Sequence, residues 1–197
     1  MQKTIGLHEP ALVSPQAFLD RMTHLWSEPP FNMPTSPALL GGWRVMAEHY
    51  HALIISNLSD TPVKTSFVLP LPTGAGKTEG TCVYAALQAE RNADHPNPVG
   101  ILIVTRLIAD ADKVAHKVNA LAGRKVAVAH HSENKLSESV MATYDVLVIT
   151  HQTFMNAFCG PRATEVERSA PMEPGYPLAD HRRRSSRQRG GPQRGDE

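Results

Sequence analysis

The stretch Leu69–Gly80, LPLPTGAGKTEG, decides how the rest of the chain is read. Its centre, Thr73-Gly74-Ala75-Gly76-Lys77-Thr78, is rich in glycine, ends in Lys-Thr and lies between an apolar run and a helical pattern. That is the setting in which a loop wraps the phosphates of a nucleotide. Gly74 and Gly76 permit backbone angles and a close approach that side chains block. The N–H groups freed by such a turn, with the positive end of the next helix, surround phosphate oxygens. Lys77 is placed to reach the β and γ phosphates as a point charge. Thr78 is placed to offer its hydroxyl to Mg2+, which keeps water and phosphate as its other ligands. Thr73, Ala75 and Glu79 complete the expected nucleotide-binding set, in which Lys77 and Thr78 are also the catalytic candidates. The strict pattern GxxxxGK[ST] has glycine at position 71, where this chain has Leu71. Five fixed residues at about 5–7% abundance each arise by chance roughly once in thousands of chains of this length. The alternative is a glycine-rich turn that only caps a helix.

Around the loop, strand and helix patterns alternate. TSFVLPL (65–71) reads as a short strand, and Thr78–Arg91 as a helix with Val83, Ala86 and Leu87 on one face. After the loop NADHPNP, the apolar run VGILIVT predicts a strand buried on both faces. LIADADKVAHKVNALAG predicts a helix stopped by Gly123, and KVAVAHH another strand. SENKLSESVMAT reads as a helix capped by Ser132, YDVLVIT as a further buried strand, and HQTFMNAF as the start of a helix. Strands and helices in this order, with near-continuous apolar strands, predict an α/β fold with a parallel sheet flanked by helices.

Residues 1–60 read as a helical N-terminal region. SPQAFLDRMTHLW has a Ser14 cap, Pro15 in the first turn, and Phe18, Met22 and Leu25 at helical spacing. SEPPFNMPTSP interrupts it. From Pro37 to Leu58 a longer helix carries Leu40, Trp43, Met46, Ala47 and Tyr50, weakened at its start by Gly41-Gly42. Residues 61–159 form the expected nucleotide-binding domain. Residues 160–197, with an Arg- and Pro-rich composition and almost no aliphatic side chains, are expected to be a disordered tail.

Composition narrows the class. With 197 residues, of which 41% are hydrophobic, the chain has material for one domain with a core. No apolar run approaches the roughly 18 residues that span a bilayer, so no membrane role is expected. MQKTIGLHEP lacks the basic-then-apolar order of a secretory signal, and Cys82 and Cys159 are too few for a disulfide framework. A cytoplasmic location is the expectation. The net charge of +1 says little about nucleic acid, but all seven lysines fall at or before Lys135 while eight of thirteen arginines follow Gly160. His130-His131 has no Cys or carboxylate cluster at ligand spacing, so a strand end is expected there rather than a metal site. Trp26 and Trp43 are expected to cover the sheet, with base stacking as the alternative. Cys82 is expected to be packed.

LPTGAGKTEG, with Pro72-Thr73 before the glycine and Glu79 after the threonine, resembles motif I of superfamily 2 helicases and translocases. ILIVTRLIADADKVAHKVNAL is similar to motif Ia, where a strand delivers a Thr-Arg pair to the start of a helix. DVLVITHQTF is similar to the later strand and Thr-containing loop that meets the nucleic-acid backbone. The match covers about residues 62–158 in the family's order. It implies a RecA-like P-loop NTPase domain that binds ATP and Mg2+ and grips a nucleic-acid strand, DNA ahead of RNA, through its phosphates. On this chain the implied strand contacts are Thr105, Arg106, Thr150, His151 and Gln152. The alternatives are a strand end with a surface Arg for Thr105-Arg106, and a helix cap for Thr150.

Hydrolysis requires one carboxylate to hold Mg2+ and another to orient water. In that family both come from an Asp-Glu pair after a later strand; here the pair occurs only as Asp196-Glu197. One choice of codons for Leu178–Ser185, read one base later, gives a strand-like run ending in Asp-Glu-Ala, so an out-of-frame tail is one reading and a genuine basic tail the other. The expectation is the ATP-binding part of a motor, cut off before its hydrolytic half, weak in binding and poor in turnover alone. A separate chain supplying the other half is the implied protein partner. Two further readings remain: a P-loop kinase, and a non-enzymatic nucleic-acid-binding module acting through RRRSSRQRGG.

Overall fold

Ser14 starts the first helix as its spacing predicts: its hydroxyl accepts the Ala17 N–H at 3.2 Å, and Pro15 occupies the first turn of α1 (Pro15–Ser27). The computed structural model to which this helix belongs describes residues 12–58 and 68–158. Next comes α2 (Pro37–Leu58), then α3 (Lys77–Asn92), β1 (Ile101–Thr105), α4 (Ile108–Ala122), β2 (Ala127–His130), α5 (Glu138–Met141), β3 (Val146–Thr150) and α6 (His151–Phe158). Among the described residues the three strands form one open parallel sheet in the order β1-β3-β2. The molecule is thus α/β, with a small parallel sheet flanked by helices. No described helix is long and apolar enough to cross a membrane.

Two apolar clusters meet on α3. One joins Cys82, Ala85, Ala86 and Ala89 of α3 to Ala111, Ala115 and Val118 of α4 and to Val146 and Val148 of β3. Small side chains on both helices let them lie close over the sheet. The other joins Val83 and Tyr84, on the opposite side of α3, to Phe18, Met22 and Trp26 of α1 and Trp43 and Met46 of α2. Phe18, Met22, Trp43 and Met46 are fully buried, each contributing about 1.5–3 kcal/mol of apolar transfer. The N-terminal helices therefore pack directly on the helix that follows the glycine loop.

Two asparagines fix the sheet's connections. Asn119 of α4 accepts the N–H groups of Val126 and Ala127 at 2.7 and 2.8 Å and donates to the Ala127 carbonyl at 2.9 Å, closing the turn into β2. Asn92 donates to the Val99 carbonyl at 3.0 Å and to Asp145 at 2.8 Å, joining the end of α3 to the starts of β1 and β3. Gly123 ends α4 in the left-handed region at φ 66°, as expected of a glycine stop.

Several expectations need correction. The run VGILIVT was expected to be buried on both faces, but among the described residues β1 is the sheet edge and alternates, with Leu102 and Val104 exposed. An apolar hollow of about 410 Å³ lies along it, lined by Tyr50, Leu53, Ile54 and Tyr84. The helix expected from Ser132 starts later: Ser137 precedes the single turn α5. A bridge between His131 and Asn134, with the Asn134 amide donating to the Ala129 carbonyl at 2.7 Å, holds residues 131–134 in a turn instead. Of the strand expected at 65–71, residues 65–67 lie outside the described residues, and Val68–Leu71 form no strand. Leu40 is partly exposed rather than core. The tail expected to be disordered lies outside the described residues.

Candidate phosphate-binding site

The loop 72–76 turns through two left-handed glycines, Gly74 at φ 84° and Gly76 at φ 75°, and α3 begins at the next residue, Lys77. Gly76 is the helix N-cap and provides no side-chain acceptor, so the first N–H groups of α3 are left for a ligand or water. Gly76 is needed for a second reason: a Cβ there would stand 2.8 Å from the Trp26 ring. The loop is also held through Ala75, whose carbonyl accepts the buried Trp43 indole N–H at 2.9 Å and whose N–H donates to the Pro72 carbonyl at 3.3 Å. Lys77 bends back over the loop, its ammonium donating to the carbonyls of Leu71 at 2.7 Å and Pro72 at 3.0 Å. Thr73, Gly74, Lys77 and Thr78 are exposed. The tryptophans thus support the loop from beneath and leave its upper side open.

Beside Thr78 a hollow of about 520 Å³ is bounded by α3, the carboxyl end of β1 and α4. Glu79 lines it and is ion-paired with Lys117 of α4. Asp110 lines it as well. Cys82 forms its floor; burial first, and the negative Glu79 second, push its thiol up to about 11, against a smaller opposite effect of Lys117. That side chain is packed, as expected. Thr105 and Arg106 form the side of the hollow towards the sheet.

A larger groove, about 940 Å³, runs across the carboxyl ends of all three strands. Arg106 stands at the end of β1, Thr150 and Gln152 at the end of β3, and His130 and His131 at the end of β2. Two of the motifs that the sequence separates therefore meet in one place. Their residues play different parts. The Thr105 hydroxyl is turned inward, donating to the Leu107 carbonyl at 3.1 Å. Thr150 is buried and caps α6, its hydroxyl accepting the Thr153 N–H at 3.3 Å. The cap reading of Thr150 accounts for that side chain. Gln152 is exposed on the groove wall, while His151 is exposed outside its lining. The groove also gathers residues with no linear signal as contacts, among them His130, His131, Lys135 and Asn156. Among the described residues no carboxylate lines it. Compared with protein-family models and with curated proteins, the chain matches none.

Proposed function

We propose that this chain binds ATP with Mg2+ on the Thr73–Thr78 loop and grips a nucleic-acid strand, DNA ahead of RNA, in the adjoining groove. In this reading it is the RecA-like ATP-binding part of an ATP-dependent helicase or translocase of superfamily 2. The observation that carries the proposal is the position of Arg106. It lines both the hollow beside Thr78 and the groove at the strand ends, so one side chain separates the two sites. A phosphate bound at the loop and a strand phosphate in the groove would both act on that guanidinium. The open loop, its uncapped helix end and a groove with no carboxylate among its described lining residues support the same reading electrostatically. Turnover requires carboxylates that hold Mg2+ and orient water. The Asp196-Glu197 pair lies outside the described residues.

The test measures binding of a labelled single-stranded oligonucleotide to the full chain by fluorescence anisotropy, with and without MgATP, over a range of salt. The reading expects salt-sensitive binding, weakened by Arg106→Ala, whose affinity changes when MgATP is added. Lys77→Ala should remove the MgATP effect and leave strand binding in place. Strand binding that ignores both nucleotide and Arg106→Ala would contradict the proposal.

A further inference from the structure

Lys135 lies in the connection from β2 to α5; it is exposed and lines the groove at the strand ends. Its neighbours on both sides are tied down. Before it, Asn134 exchanges two backbone hydrogen bonds with His131, at 3.2 and 3.1 Å. The Asn134 amide also donates to the Ala129 carbonyl at 2.7 Å. After it, the Leu136 N–H donates to His130 Nδ1 at 3.1 Å. These bonds fix the point at which the lysine stem leaves the backbone, so a ligand has only the stem's own rotamers to order. A lysine in an untethered loop has no such anchorage.

Several polar side chains around the groove are already engaged. Thr150 caps α6, and Gln152 donates to Asn156 at 2.9 Å. Arg106 and Lys135 are the arginine and the lysine of the described lining. Neither has a hydrogen-bond or ion-pair partner among the described residues. By contrast, Lys77, Lys117 and Arg124 are each taken up by a carbonyl or a carboxylate. Among the described residues no carboxylate in the lining offsets the two free charges. They enter from opposite sides: Arg106 follows β1 and Lys135 follows β2, with β3 between the two strands. Two steps of strand spacing put the ends of β1 and β2 roughly 10 Å apart, wider than a single phosphate group.

We propose that Lys135 is a second phosphate contact for a nucleic-acid strand, and that it holds a different phosphate from the one at Arg106. The inference rests on the groove reading given above. The strand then runs across the row of strand ends, from the β1 side over β3 to the β2 side. Arg106, with its planar fork, sets the orientation of one phosphate; Lys135, a point charge on a flexible stem, tolerates variation in where the other sits. Each contact displaces condensed counterions from the strand, so each adds its own share to the salt dependence of binding.

The experiment measures the affinity of a labelled single-stranded DNA oligonucleotide for full-chain variants across a salt series, by fluorescence anisotropy. Every variant keeps the Arg-rich residues after Gly160, so any binding through them is common to all. Lys135→Ala should bind about tenfold more weakly at low salt, and its log–log salt slope should be shallower by about 0.7. Lys135→Arg keeps the charge and should stay within about threefold, with the slope unchanged. The control is Lys125→Ala, which removes the same charge from above the Tyr144 ring, just before β2 at the opposite end of the sheet; it should leave binding as it was. Arg106→Ala combined with Lys135→Ala should lose about twice the slope of either alone. If Arg106→Ala weakens binding while Lys135→Ala does no more than Lys125→Ala, the role of Lys135 is overturned and the groove reading survives. A double variant no weaker than the single ones overturns the assignment to separate phosphates. If no groove variant changes binding, both readings fall.

Discussion

Replacing Gly76 by alanine should cost more than replacing Gly74, although both glycines occupy the left-handed region, at φ 75° and 84°. A non-glycine residue in that conformation costs about 1–2 kcal/mol. At Gly74 nothing lies within 4 Å of a new Cβ, so Gly74→Ala should lose only that amount. At Gly76 the Cβ would meet two Trp26 ring atoms at 2.8 and 3.0 Å, with Met22 Cε at 3.5 Å. Trp26 has little room to retreat, stacked on Phe31 with centroids 4.3 Å apart and set edge-on to Trp43 at 5.1 Å. Overpacking a close-packed site adds about 1–3 kcal/mol. Gly76→Ala should therefore lose about 2–5 kcal/mol in all. Urea unfolding at 25 °C measures both losses, compared at unchanged m-value. Equal losses for the two variants would refute the claim that α1 packs against the underside of the loop.

Asn119→Ala removes one acceptor for two backbone N–H groups and one donor to a carbonyl, so a loss of about 2–4 kcal/mol in urea unfolding is expected. A loss below about 0.5 kcal/mol would show that water replaces the amide. In a Cys159→Ser chain, Cys82 should alkylate at pH 8 about a hundredfold more slowly than a peptide thiol, because its thiol ionises only near about 11. The same shift makes the unfolded thiol ionise first, so its contribution to stability is intact below about pH 9 and is lost as pH rises towards about 11. Ready alkylation, with the fold intact by circular dichroism, would contradict the burial.

What was legible in the sequence was mostly local. Ser14-Pro15 and Gly123 mark helix ends through their own backbone chemistry, and both stand where expected. The glycine loop was visible for the same reason, since Gly74 and Gly76 state a conformation. What supports the loop was not visible. Trp26 and Trp43 were expected to cover the sheet, but they lie beneath the loop, because helices far earlier in the chain fold back on α3. Ser132 reads as a helix start, but the helix begins only after Ser137, and residues 131–134 are held in a turn with the Asn134 amide bonded to the Ala129 carbonyl. The pairing of His131 with Asp112 has no linear signature at all, since it joins the end of a strand to a helix packed against it. Edge status likewise depends on strand order, which among the described residues leaves β1 outermost, so Leu102 and Val104 read as buried and are exposed.

The central claim is that the loop before α3 binds a triphosphate with Lys77 over it. Isothermal titration of the full chain and of Lys77→Ala with MgATP tests this most directly. The account predicts binding by the natural chain and at least about tenfold weaker binding by the variant, the loss of one charge-assisted contact. Equal affinities, or no heat from either at millimolar nucleotide, would contradict it.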